Sequence, residues 1–217
     1  MKKIVLISDT HTMHEDIILP KGDILIHAGD FTGRGNKYEV SDFFGWLERQ
    51  SKDFEHIIFI AGNHDLSFEA KAEWIPSLLS ELPDNIYYLE DREIVIDGIK
   101  FYGSPWQPEF HNWAFNLPRG PELAEKWKLI PDDTDILITH GPPKYMCDFT
   151  IRDQLNVGCK DLLDRVDIVK PKIHVFGHIH EGYGITSANG IDFINASICT
   201  VGYRPINDPI IIEYKLN

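Results

Sequence analysis

Five short apolar runs constrain this chain more than anything else in it: KKIVLIS at 2–8, DILIHA at 23–28, HIIFIA at 56–61, DILIT at 135–139 and KIHVF at 172–176. Each is rich in isoleucine and valine and nearly continuous, the pattern of strands buried on both faces. Each breaks off into a polar turn: SDTH, GDFTGRG, GNHD, HGPP and GHIH. In α/β sheets, ligands bind beyond the carboxyl ends of the strands, so these turns mark the edge where chemistry is expected. That edge receives Asp9, His11, Asp30, Asn63, His64, His140, His178 and His180. Ordinary turns leading into helices use Asp or Asn as caps. That habit accounts for one or two such residues, but not for histidines in four of five turns.

The fifth turn is the densest. His178 and His180 stand one residue apart, and in extended chain residues i and i+2 point to the same side, so the two imidazoles are expected to reach toward one point. Gly29, Gly62, Gly141 and Gly177 are expected to let the backbone turn sharply and approach an ion closely.

Between the strands the apolar period becomes helical. Val40, Phe43, Phe44 and Leu47 follow the i, i+3, i+4, i+7 rule within KYEVSDFFGWLERQ. Residues 70–81, 121–129 and 158–167 are further expected helices. A second set of strand-like runs lies at 86–89, 93–103, 184–187, 191–195 and 209–214, with hairpin character at DGIK and ANGID. The expected architecture is α/β, with two β layers flanked by helices, in one domain spanning 1–217.

With 217 residues the chain can bury a core without disulfides. Cys147, Cys159 and Cys199 are odd in number and show no CxxC spacing, which points to reduced thiols in a cytoplasmic setting. The opening MKKIVLISDTH reads as a first strand, because IVLI is too short for a signal-peptide core. No apolar run approaches a membrane span. The net charge of −13 argues against general binding to nucleic-acid duplexes, which needs a basic surface.

Two aspartates, one asparagine and four histidines make a mixed oxygen and nitrogen donor set: Asp9, His11, Asp30, Asn63, His140, His178 and His180. Such a set suits Mn, Fe, Zn, Co or Ni, with manganese favoured, better than Ca, which prefers all-oxygen cages. Seven donors exceed one tetrahedral site and suit two divalent ions sharing a carboxylate. Ions paired in that way sit roughly 3.5–4 Å apart and clamp both the attacking and the leaving oxygen of a phosphoryl displacement.

The order DxH, GD, GNHD, a histidine after a strand, then GHxH resembles the calcineurin-like metallophosphoesterases over nearly the whole chain. GDFTGRG, GNHDLSFE, YGSPWQPEF, FNLPRG, ILITHGPP, HVFGHIHEGYG and INASICTV are similar to its metallophosphoesterase-domain-containing subgroup. The resemblance implies a four-layer β-sandwich flanked by helices, with its metal site at the C-terminal strand ends. It implies phosphoester hydrolysis by a metal-activated hydroxide, often of small or nucleotide-like diesters, 2′,3′-cyclic nucleotides among them. Carried over by motif, Asp9, His11 and His180 would hold one ion, Asn63, His140 and His178 the second, and Asp30 would bridge them. His64 would meet the substrate as the catalytic residue and protonate the leaving alkoxide. His178 is intact here, whereas some animal members carry glycine at that position.

One departure stands out. Related phosphatases often carry Asp at the fourth position of GDxxDxG, where it orients the catalytic histidine; this chain has Gly33. The alternatives are a phosphomonoesterase on the same site, for which only Arg34 stands near a motif as an extra cation, and a metal-binding interaction scaffold. A retromer subunit has this fold and works as a scaffold after losing much of its metal site; here all seven ligand positions survive. His27 and His174 read as core or supporting histidines, His56 and His111 as surface or structural ones. His14 is close enough in sequence to approach a substrate. Trp106, Phe110 and Trp113 form an aromatic loop able to stack on a base or simply to pack. Tyr183 reads as a tyrosine buried in a turn.

Overall fold

The computed structural model describes residues 1–215 of the chain; the last two residues of the expected 1–217 span lie outside the description. In chain order the elements are β1 (Lys2–Ile7), β2 (Ile24–His27), α1 (Lys37–Gln50), β3 (His56–Phe59), α2 (Leu66–Glu69), α3 (Ile75–Ser80), β4 (Ile86–Tyr88), β5 (Arg92–Ile96), β6 (Ile99–Ser104), β7 (Gln107–Pro108) and β8 (Asn116–Leu117). Then follow α4 (Pro121–Trp127), β9 (Ile136–Thr139), β10 (Phe149–Thr150), β11 (Leu155–Asn156), α5 (Lys160–Val169), β12 (Ile173–Phe176), β13 (Gly184–Ala188), β14 (Ile191–Asn195) and β15 (Ile210–Tyr214).

Two sheets face each other. The first runs β15-β1-β2-β3-β4 and the second β13-β14-β12-β9-β6-β5, each parallel inside with antiparallel pairing at an edge. The five runs therefore divide: β1, β2 and β3 belong to one sheet, β9 and β12 to the other.

Strand alternation explains why these runs are apolar at every position. From β1, Ile4 and Leu6 enter the layer between the sheets, while Val5 and Ile7 enter the layer under α1. In β9, Ile136 and Ile138 face the inter-sheet layer and Leu137 faces the layer under α4 and α5. Three apolar layers thus separate helices, sheet, sheet and helices, the four-layer arrangement expected from the sequence.

Helix α1 begins where Asn36 accepts from the Tyr38 and Glu39 backbone N–H groups, at 3.0 and 3.1 Å. Its Val40, Phe43, Phe44 and Leu47 are buried as the period demands, with Trp46 beside them. Phe43 stacks on Phe31, centroids 4.2 Å apart, and so fixes the segment that carries Asp30. Losing such a ring costs about 3–5 kcal/mol.

The hairpins at DGIK and ANGID form as read, with Asp97 and Gly98, then Asn189 and Gly190, at positive φ. The expected helix over 70–81 does not form whole. Helix α2 ends at Glu69, Lys71 turns into the left-handed region, and a new helix starts with Pro76 in its first turn.

His174 confirms its place in the core. Its Nε2 donates to the Thr139 hydroxyl at 2.8 Å, which in turn donates to the Gly141 carbonyl. Its Nδ1 is buried without a partner, and burial pushes its pKa down to about 3. The unfolded value is about 6.5. The folded pKa is thus depressed, so the stability tied to the neutral ring is complete above about pH 6.5 and is lost as pH falls toward the folded value. The metal-free protein is expected to lose about 1.4 kcal/mol per pH unit in that window through this residue. Urea titrations of His174→Gln at several pH values should show that slope smaller by one proton; an unchanged slope would rule the residue out as its source.

Candidate metal centre

Backbone hydrogen bonds tie the turns together at the strand ends. Asp9 N–H donates to Gly29, His11 N–H to Asp30, Gly177 N–H to His140 and Ile198 N–H to Ser8. The last two matter most, because Gly177 links β9 to β12 and Ile198 links the two sheets. The gathered edge is held by the backbone itself.

All eight sequence-predicted residues converge there, in three groups whose ligand atoms lie within 4.8 Å of one another: Asp9, His11 and His180; His11, Asp30 and His64; Asp30, His140 and His178. Asn63 joins the third group through its Oδ1, 2.9 Å from His140 Nε2. The expectation that His178 and His180 reach one point is corrected. The segment is not extended: His178 sits at φ 66° and His180 opens a 3-10 turn. The two rings consequently join different groups.

The tautomers follow from the carbonyls. His140 Nδ1 donates to Ala28 at 2.9 Å and His180 Nδ1 donates to Thr200 at 3.0 Å. Each ring therefore directs Nε2 inward, where it can offer a lone pair to a metal ion that displaces any proton there. His140 Nε2 meets Asp30 Oδ2 at 3.3 Å, and His180 Nε2 meets Asp9 Oδ1 at the same distance. His11 Nε2 lies 3.3 Å from His180 Nε2. Nitrogen and carboxylate acceptors gathered this closely need a proton or a metal ion between them. The donor set, its buried position and the outward-anchored second nitrogens all fit divalent ions.

The electrostatics agree. Burial works to raise both aspartates. His140 outweighs it at Asp30, as His180 does at Asp9, and both carboxyls are held well below the usual range. Burial works to lower His140, yet Asp30 and Asp9 lift it to about 9. For His178 burial prevails, reinforced by the neighbouring His140, and its pKa drops to about 3.

Four of these positions, Asp9, His11, Asp30 and His178, have φ between 43° and 66°. Such left-handed backbone is uncommon outside glycine, and it clusters here at the ligand turns. Gly29 needs its φ of 97°, and a Cβ there would come 2.7 Å from His140 Nδ1. Gly177 has no room for one, since a Cβ would stand 1.9 Å from Asp9 Oδ2. Gly141 departs from expectation: its nearest neighbour would be Gln107 at an ordinary 3.6 Å, so the turn does not need glycine there.

The structure answers the question raised by Gly33. His64 Nδ1 donates to the carbonyl of Gly33 itself, at 2.8 Å. A backbone oxygen orients the ring where related phosphatases often place a carboxylate, and Nε2 remains for the pocket. That pocket, of about 290 Å³, is lined by Asp30, Asn63, His64, His178 and His180 together with Phe110, Arg152, Glu181, Val201 and Tyr203.

Sequence reasoning missed several of these contributors. Tyr203 packs on His11 at 4.9 Å and on His180 at 5.5 Å. Arg152 comes from the turn between β10 and β11. Ser197 donates to Asp9 Oδ2 at 2.9 Å. Asp65 accepts from the backbone N–H groups of Asp30, Thr32 and Gly62 and from the Thr32 hydroxyl, locking the Asp30 and Asn63 turns together. Burial, with Asp30 beside it, pushes the Asp65 carboxyl up to about 7. Its place in GNHD was the one signal available.

Other sequence expectations resolve as follows. His27 is core: Nδ1 accepts from Gly29 N–H and Nε2 meets the Thr10 hydroxyl. His14 is buried against Phe43 and Trp46 and bonds Asp42 at 3.1 Å; it does not line the pocket. Tyr183 is half-buried and donates to the Asp208 carbonyl. The aromatic loop splits: Phe110 packs edge-on to His178, Trp113 stacks on His64, and Trp106 turns into the core, bonding Asp91. Arg34 places its guanidinium 5.1 Å from the Trp113 ring centre. No helix among the described residues is long and apolar enough to cross a membrane.

Comparison with known proteins points the same way. The family model described as calcineurin-like phosphoesterase matches residues 2–182. The chain is 46% identical to the human and the mouse metallophosphoesterase domain-containing protein 1, over 97% of this chain and 70% of each relative. Among solved structures, the phosphopantetheinyl hydrolase of Mycobacterium tuberculosis superposes with a TM-score of 0.66 over 96% of this chain and 95% of its own, at 17% identity, a likeness of fold.

Proposed function

The chain belongs to the calcineurin-like phosphoesterase family, whose members use divalent metal ions to hydrolyse phosphoesters, and from that premise we propose that it is a dinuclear phosphodiesterase of small or nucleotide-like diesters. One observation carries the reading: the inward-facing Nε2 atoms of His140 and His180 meet the carboxylates of Asp30 and Asp9 at 3.3 Å in a buried edge. Asp9, His11 and His180 would hold one ion, Asn63, His140 and His178 the other, with Asp30 between them. Ions bound there would supply Lewis acidity toward phosphoryl oxygens and a lowered water pKa.

The chain's own groups do the rest. Asp30 Oδ1 accepts from the His64 backbone N–H at 2.7 Å, so the shared carboxylate and the catalytic turn are one unit. With Nδ1–H committed to Gly33, the protonated His64 ring presents Nε2–H to the pocket, where it donates to a phosphoryl oxygen and hands that proton to the departing alkoxide, ending as the neutral Nδ1–H tautomer. His64→Ala is expected to retain both metals and lose about 10²- to 10⁴-fold in kcat; unchanged turnover would take His64 out of the reaction. We place the activity in one domain and in the cytoplasm, in keeping with three free cysteines.

Arg152 in the pocket lends the phosphomonoesterase reading a second cation beside Arg34. The deciding experiment strips the protein with chelator and restores Mn, Fe, Co, Ni, Zn or Mg singly. A monoester, an open diester and cyclic nucleotides are then assayed side by side. Diester turnover restored by metal, manganese foremost, is expected. Turnover of the monoester alone would replace the diesterase reading.

A further inference from the structure

His64 is held at Nδ1 by one carbonyl oxygen, and a single hydrogen bond leaves a ring free to tilt about it. The structure supplies the second restraint. The Trp113 indole lies nearly parallel to the His64 ring, centroids 4.0 Å apart and planes 22° off. Two neighbours fix the indole's own segment. Ala114 N–H donates to the carbonyl of Asn63 at 3.0 Å, and Phe115 is fully buried. The loop that carries Trp113 is therefore bonded to the turn that carries His64. Arg34, from the residue next to Gly33, extends its guanidinium over the same indole, a cation–π contact. Trp113 itself does not line the pocket.

We propose that Trp113 is the positioning residue for His64, replacing with a stacked face the orientation that a carboxylate at position 33 would give. The inference rests on the hydrolytic role of His64 proposed above. A face-on stack sets the plane of the imidazole while the Gly33 carbonyl sets its rotation. Together they aim Nε2 at one place in the pocket. Misplacing a reacting group by about 1 Å costs on the order of 10²-fold, so the stack has a measurable share of the rate.

The test is a double-mutant cycle in fully metal-loaded protein, with Trp113→Leu, Trp113→Phe, His64→Ala and the pairs. Trp113→Leu should lower kcat by about 10- to 100-fold with KM and metal content near wild type. Trp113→Phe should restore most of that loss, since it keeps a stacking face. In the His64→Ala background Trp113→Leu should cost nothing further, because no ring is left to hold. A merely structural tryptophan would lower both backgrounds equally, and that additivity would overturn the proposal. So would wild-type turnover in Trp113→Leu, or a Trp113→Leu protein that melts early or loses its metals. A second arm does not depend on turnover. Nitrogen-15 spectra of zinc-loaded, histidine-labelled protein, recorded at alkaline pH where the ring is deprotonated, should show His64 as a single Nδ1–H tautomer in wild type and Trp113→Phe. Averaging is expected in Trp113→Leu, and an unaveraged signal there would refute the restraint. If wild type hydrolyses no ester at all, the hydrolytic reading fails while this arm still judges Trp113.

Discussion

Asp30→Asn is expected to strip the protein of at least one metal ion and to lower kcat/KM on the order of 10³-fold. Asparagine keeps the size of the side chain and tolerates the φ of 58° that Asp30 adopts, so the backbone has no cause to rearrange. The negative charge is what goes. Asp30 Oδ2 stands 3.3 Å from His140 and 4.0 Å from His11, between the two halves of the donor set. Without its charge, two neighbouring cations repel with nothing shared between them. Metal catalysis is worth several kcal/mol, and each 1.36 kcal/mol is tenfold in rate. Elemental analysis, circular dichroism and kinetics on one preparation check this. Full metal content with more than a tenth of wild-type activity would show that Asp30 is not shared.

Gly177→Ala is expected to damage the centre nearly as severely, through a methyl group alone. The added Cβ would lie 1.9 Å from Asp9 Oδ2 and 2.2 Å from Ser8 Oγ. Asp9 has nowhere to retreat, because His178 N–H donates to both its oxygens and Ser197 donates to one. Overpacking of this kind costs about 1–3 kcal/mol, which for a chain this size lowers Tm by about 2–4 °C per kcal/mol. The larger effect is local: Asp9 is displaced and the ion held with His11 and His180 is lost. Gly141→Ala is the control, with ordinary contacts from 3.6 Å outward, and should retain its metals and melting point. If Gly177→Ala binds two ions with wild-type affinity, the closeness of β12 to Asp9 has no functional weight.

Much of this was legible in the sequence because buried parallel strands have a strong signal. Near-continuous Ile and Val runs located β1, β2, β3, β9 and β12, and the turns after them carry the seven candidate donors and His64 that the fold gathers at one edge. The hairpins were equally plain, since Asp-Gly and Asn-Gly are among the few pairs that accept two positive φ values in a row. What the runs did not carry was partition. Nothing in IVLI or ILIT says which sheet a strand joins, because both sheets bury both faces. The contributors that escaped notice, Tyr203 and Arg152, sit on irregular segments where no period exists to read. Asp65 was hidden in plain view: its work is done on backbone N–H groups, which leave no trace in composition. The orientation of His64 was illegible for the same reason, since a carbonyl oxygen belongs to every residue alike.

The left-handed backbone at Asp9, His11, Asp30 and His178 sets a trap for anyone improving this protein by its melting point. Each is a site where glycine, and to a lesser degree asparagine, relieves a conformation that costs on the order of 1 kcal/mol or more. Screening the metal-free chain for heat resistance would therefore gravitate toward those very codons. The winners would be sturdier and inert, with the donors traded away one by one. A library ranked only after metal loading, with turnover scored alongside, would leave them untouched.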